Sequence, residues 1–202
     1  MHELRDKHGN VLTLSTDRGH RVTEDWMGTE VLTLADLVRP GLRAVTVGIN
    51  PSTVSVAAGH YYQGLLGQRF LARLRNVGLI GLAERGREDD AAFRDGVGFT
   101  DIIKRPTASA KELRRDEFKH GRNALVEMIE QHSPELVVFT FKDTAKAVFG
   151  PFPGNGFVPG LRVGKAKVYV MPGPMERTVT AGPTLATLAK WVRTSQQRSG
   201  KR

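Results

Sequence analysis

The chain contains no cysteine. That removes disulfide staples, iron–sulfur clusters, cysteine-ligated zinc and thiol nucleophiles together. Long apolar runs are missing too: no stretch approaches the roughly 20 residues of a membrane helix. The start, Met1-His2-Glu3-Leu4-Arg5-Asp6, is too charged for a secretion signal, so a cytoplasmic protein with no membrane partner is expected. Acids are in deficit, with 21 Asp and Glu against 30 Lys and Arg and a net charge of +9. An excess of that size favours a polyanionic partner, nucleic acid first. His2, His8, His20, His60, His120, His132 and the pair Asp89-Asp90 follow no metal-ligand spacing, and no phosphate-binding loop is present. Neither a metal nor a cofactor is therefore expected.

What is present fits one folded domain: 202 residues, 40% hydrophobic and 25% charged. Residues 1–194 are assigned to it, with 1–34 as an N-terminal extension containing a small hairpin or a loose segment. Residues 195–202 read as a disordered basic tail. Between these ends, apolar runs alternate with helical periodicity. Ala44–Val47 and Leu136–Phe141 are continuous apolar runs of the kind buried on both faces, and Val168–Met171 is a third strand. Helices are predicted from Phe70 to Val77, around Asp89–Arg94, over Glu112–Gln131, after a cap at Asp143, and through Leu185, Leu188 and Val192. Alternation of this kind predicts an α/β protein, a three-layer α/β/α sandwich around a mainly parallel sheet. Ligands of such sheets bind where loops leave the C-terminal strand ends.

Two of those loops carry chemistry. The first is Gly48-Ile49-Asn50-Pro51-Ser52, running on to Gly59-His60-Tyr61-Tyr62. Glycine admits close backbone approach, and Asn50 offers an acceptor and a donor at the sheet edge, although Asn-Pro also serves simply as a turn. The second, Met171-Pro172-Gly173-Pro174-Met175-Glu176-Arg177, is stiffened by two prolines and carries an apolar tip beside an arginine. On a basic protein that combination suits insertion between DNA bases.

These segments resemble the mismatch-specific uracil/thymine-DNA glycosylases, a branch of the uracil-DNA glycosylase superfamily. The resemblance spans about residues 35–192. It is carried by Gly48-Ile49-Asn50-Pro51, Gly59-His60-Tyr61-Tyr62, Arg69-Phe70, Gly98-Phe99-Thr100-Asp101, Arg105-Pro106-Thr107, Gly121-Arg122 and the loop from Met171 to Arg177. It implies hydrolysis of the bond joining deoxyribose to a uracil, thymine or modified cytosine flipped out of G·U or G·T duplex DNA. A monomeric, cofactor-free, monofunctional enzyme of base excision repair is implied, since no lysine is placed for Schiff-base chemistry. The alternative is a protein of the same fold that binds DNA or abasic sites with little turnover.

The resemblance also assigns roles. Asn50 matches the residue that positions the attacking water. Tyr62 matches the aromatic on which the base stacks, with Tyr61 as the fallback, and the Ile49 segment reads the base edge through its backbone. Pro174, Met175 and Arg177 would form the wedge in the vacated stack, where Pro174-Met175-Glu176 departs from the small residues usual in the family. Asp101 stands where relatives often carry asparagine or lysine. A carboxylate there would activate water and stabilise a cationic sugar, or else merely cap a helix or pair with Lys104 or Arg105. Lys111, Arg114, Arg115, Lys119 and Arg122 read as a solvated basic helix face able to hold phosphates.

Overall fold

The computed structural model describes residues 19–151 and 154–199. The first half of the N-terminal extension, residues 1–18, lies outside them. An antiparallel hairpin comes first, β1 (Arg21–Trp26) and β2 (Thr29–Leu34), turning at Met27-Gly28, both with positive φ. The hairpin expected of the extension is thus formed by its second half. The remaining strands build a five-stranded sheet in the order β4-β3-β5-β7-β6. They are β3 (Ala44–Gly48), β4 (Val97–Asp101), β5 (Leu136–Phe139), β6 (Gly156–Val163) and β7 (Ala166–Val170). The pairings β3–β4, β3–β5 and β5–β7 are parallel, and only the edge strand β6 runs antiparallel. The expected α/β class and mainly parallel sheet are what the chain adopts.

Strand parity explains the three layers. Ala44, Phe99, Val138 and Tyr169 face a core completed by Phe70, Leu71, Leu74, Leu188 and Val192. Val45, Val47, Val137, Phe139, Val168 and Val170 face the opposite core, with Leu125, Ile129 and Val148. A one-residue register slip would exchange the two sets, so two-sided burial pins the register. The helices are α1 (Thr53–Ala58), α2 (Leu65–Asn76), α3 (Glu88–Arg94), α4 (Arg115–His132), α5 (Lys142–Phe149) and α6 (Thr178–Ser199).

Four expectations need correction. Asp143 is not a cap: Phe141 precedes α5, and Asp143 sits in the first turn facing Lys146 at 3.4 Å. The helix expected from Glu112 splits into a 3-10 turn, Ala110–Glu112, and α4, because Leu113 and Arg114 are extended. Lys111 therefore leaves the basic helix, and Arg114 spends its charge on Asp116. The proposed tail is helical through Ser199; Ser195 is buried and donates to Glu135 Oε2 at 3.2 Å, so the boundary at residue 194 falls inside α6.

Candidate active site

β3 lies at the point where successive connections diverge. Its neighbours β4 and β5 are reached over opposite faces, α1–α3 covering one and α4 the other. A crevice opens at the carboxyl ends of such strands. Here it is a cavity of about 480 Å³, within the range of small-ligand sites. Gly48–Ser52 after β3, Asp101 at the end of β4 and Thr140-Phe141 after β5 supply one wall. Tyr61, Tyr62, Gly67 and Phe70 supply another, while Thr107, Ala108 and Ala110 close the mouth.

Asn50 is oriented by acceptors. Its Nδ2 donates to the Arg105 carbonyl at 3.0 Å and to Thr107 Oγ1 at 2.8 Å. A carbonyl only accepts, and the Thr107 hydroxyl commits its own proton to Ser109 O at 3.0 Å. The amide therefore has one sensible orientation, with the nitrogen turned to the loop. No described residue donates to Asn50 Oδ1, so that oxygen is a free acceptor on a residue that lines the cavity. Sequence reasoning gave Asn50 a role but placed Thr107 only within the Arg105-Pro106-Thr107 segment, not as the group that aims it.

Asp101 is 4% exposed, and no described side chain hydrogen-bonds to its carboxylate. Both cations considered as its partners are engaged elsewhere. Lys104 pairs with Asp36, and Arg105 forks onto Glu117 with both contacts at 2.8 Å. Burial therefore dominates: it lifts the Asp101 carboxyl from 3.8 to about 7, with Lys104 pulling down and Asp36 pushing up. Gly48 makes this position possible, because a Cβ there would overlap the Asp101 carboxylate and approach the Tyr62 hydroxyl.

The two tyrosines separate in role. Tyr61 is a core residue, 2% exposed, with its hydroxyl donating to Ala35 O at 3.1 Å. Tyr62 is half-buried, adopts φ 60°, and packs its ring on Phe70 with centroids 4.8 Å apart. A tyrosine in the left-handed region costs on the order of 1–3 kcal/mol, a strain that gathers at ligand clamps. Gly67 packs directly on the Tyr62 main chain, where a Cβ would have no room. Ile49 lines the cavity beside them, its carbonyl accepting from Ile103 N at 2.9 Å.

Pro174, Met175 and Arg177 do not line the cavity. They stand beside it, in the loop leaving the carboxyl end of β7. Arg73 of α2 holds that loop through three carbonyls, Pro172 at 2.8 Å, Gly173 at 2.6 Å and Glu176 at 2.5 Å. Arg69, one turn earlier, reaches the Met175 sulfur. Met175 remains 68% exposed, and the exposed Arg177 guanidinium has no partner among the described residues. Asn155 donates to the Glu176 carboxylate at 3.3 Å. Phe70, which supports Tyr62, lies on the same helix as both arginines, so α2 joins the loop mechanically to the cavity.

Fold and site together define an α/β protein with a carboxylate- and amide-bearing pocket at its sheet switch point. Residues 35–193 match the family model of the Uracil DNA glycosylase superfamily, and the chain belongs to that superfamily. Its members are glycosylase hydrolases, and membership suggests DNA glycosylase activity.

Proposed function

We propose that the protein is a monofunctional, mismatch-directed glycosylase that removes uracil, and thymine or modified cytosine where the pocket admits them, from duplex DNA. The observation that carries this reading is the pairing of an aimed Asn50 carbonyl with an unpaired, buried Asp101 in one cavity beside Tyr62. In this reading the everted base enters between the Gly48–Ser52 loop and Tyr62 and stacks on that ring. The main chain around Ile49 faces its polar edge. Asn50 Oδ1 holds a water toward the sugar carbon, and ionised Asp101 accepts its proton as the glycosidic bond breaks. The electron pair of that bond leaves with the base, so the developing oxocarbenium ion also gains from the nearby carboxylate. Pro174 and Met175 fill the gap in the stack, and Arg177 meets phosphate or the widowed guanine.

The test is single-turnover incubation with a G·U duplex followed by alkali. Alkali-labile strand with wild type, and its loss in Asn50→Ala, supports the reading. A shifted complex without alkali-labile product would make the protein a binder instead.

A further inference from the structure

Two histidines forty residues apart in sequence meet in the fold. Folding brings together His20, which leads into β1, His60, which follows α1, and Asp89 and Asp90 of α3. One ligand atom from each lies within 4.8 Å of all the others. His20 Nε2 is 2.8 Å from Asp90 Oδ1 and 3.8 Å from Asp89 Oδ2, and His60 Nδ1 is 2.9 Å from Asp89 Oδ1. The main chain fixes this arrangement. His20 N donates to Gly59 O at 2.7 Å, and Tyr61 N donates to Asp89 Oδ2 at 2.7 Å. Gly19 lies so tightly on Gly59 that a Cβ would collide with its carbonyl. His60 and Asp89 are buried, while His20 and Asp90 reach the surface and leave an entry.

We propose that these four side chains form a binding site for one divalent transition ion of the zinc class. Zinc bonds of about 2.0–2.2 Å to nitrogen and oxygen put tetrahedral ligand atoms about 3.3 Å apart. The three contacts named lie within about half an ångström of that edge, and the widest separation among the four ligand atoms, 4.8 Å, has to close by about 1.5 Å through side-chain rotation. Two carboxylates neutralise a dication, and two imidazoles favour a transition metal over calcium or magnesium. A neutral imidazole frees the required lone pair by shifting its tautomer, so the ion replaces two imidazole–carboxylate hydrogen bonds without stranding a charge. The site is separate from the cavity and independent of the glycosylase reading. It would cross-link the hairpin lead-in to α3 and to the segment that ends, two residues after His60, at Tyr62.

The full chain, stripped with chelator, is titrated with Co²⁺ and then Zn²⁺. One equivalent of Co²⁺ is expected to give visible d–d bands, which Zn²⁺ abolishes and Mg²⁺ does not. His20→Ala and Asp90→Asn should each weaken binding by more than about tenfold, with circular dichroism unchanged. Asp90→Asn keeps the shape of the residue and decides the matter if His20→Ala misfolds. No d–d bands in wild type, or bands unaltered in Asp90→Asn, would overturn the site and leave the cluster as a purely hydrogen-bonded tie.

Discussion

Asp101→Asn should make the protein more stable and less active, and the size of both effects follows from where the carboxylate sits. Its carboxyl holds a proton up to about pH 7 in the folded chain, against an ordinary 3.8. Between those values the native state binds more protons than the unfolded state, so stability falls as pH rises through the window. The full penalty is about 3 pK units, or about 4 kcal/mol. The neutral amide has the same shape and no such penalty. Its advantage over wild type should be about 2 kcal/mol near pH 5 and grow to about 4 kcal/mol near pH 8. Urea denaturation of both proteins across that range measures it, and the difference between the two curves cancels all other titrating groups. Activity should move the other way. Under single-turnover conditions on G·U duplex, the wild-type rate should rise with pH and level off above about 7, as the base ionises. Asp101→Asn should flatten the profile and lower its plateau by about 10²–10⁴-fold. A stability gap that does not widen with pH, or a wild-type rate that is flat between pH 6 and 8, would refute the argument.

Further outcomes are expected elsewhere in the site. Thr107→Val removes the acceptor that orients Asn50 and should slow single-turnover excision by about fivefold to tenfold, the equivalent of one hydrogen bond. Asn50→Ala should slow it by about 10² or more at unchanged melting temperature. Arg73→Leu frees the Pro172–Glu176 carbonyls. It should weaken base eversion, read with a fluorescent base analogue, and raise KM more than it lowers kcat. Glu117→Ala leaves the Trp26 indole unpaired and Arg105, part-exposed, with only the Glu112 carbonyl at 3.0 Å, and should cost about 1–3 kcal/mol by urea denaturation. Arg105 above all, with further hydrogen bonds from Arg114 and Trp26, lowers the Glu117 carboxyl from 4.5 to about 2. Glu117 should therefore contribute stability above pH 4.5 that is lost as pH falls through about 2.

Much of the fold was legible because burial writes itself into pattern. β3 and β5 are apolar on both faces and read as continuous runs, and α2 and α6 show their core residues at helical spacing. β6 was missed because Gly156, Pro159 and Gly160 read as loop, and only an edge strand with a register shift tolerates them. α1 was missed because six small residues carry no period. At the site, Asn50 was visible through local chemistry, and Tyr62 and Asp101 through the family resemblance. The solitude of Asp101 was not, since Lys104 and Arg105 follow closely and their real partners, Asp36 and Glu117, are set by tertiary packing alone. The His20–His60–Asp89–Asp90 cluster escaped for the same reason: ligands drawn from three distant segments leave no spacing to read.

The hairpin stands ahead of the stretch that matches the superfamily, yet it is wired into the chemistry. Trp26 Nε1 bonds Glu117 at 3.2 Å, Glu117 grips Arg105, and the Arg105 carbonyl aims Asn50, while Leu34 forms part of the cavity wall. A chain trimmed to its recognisable core would thus lose the far anchor of a relay ending at the Asn50 amide, and what looks like an appendage behaves as the keystone.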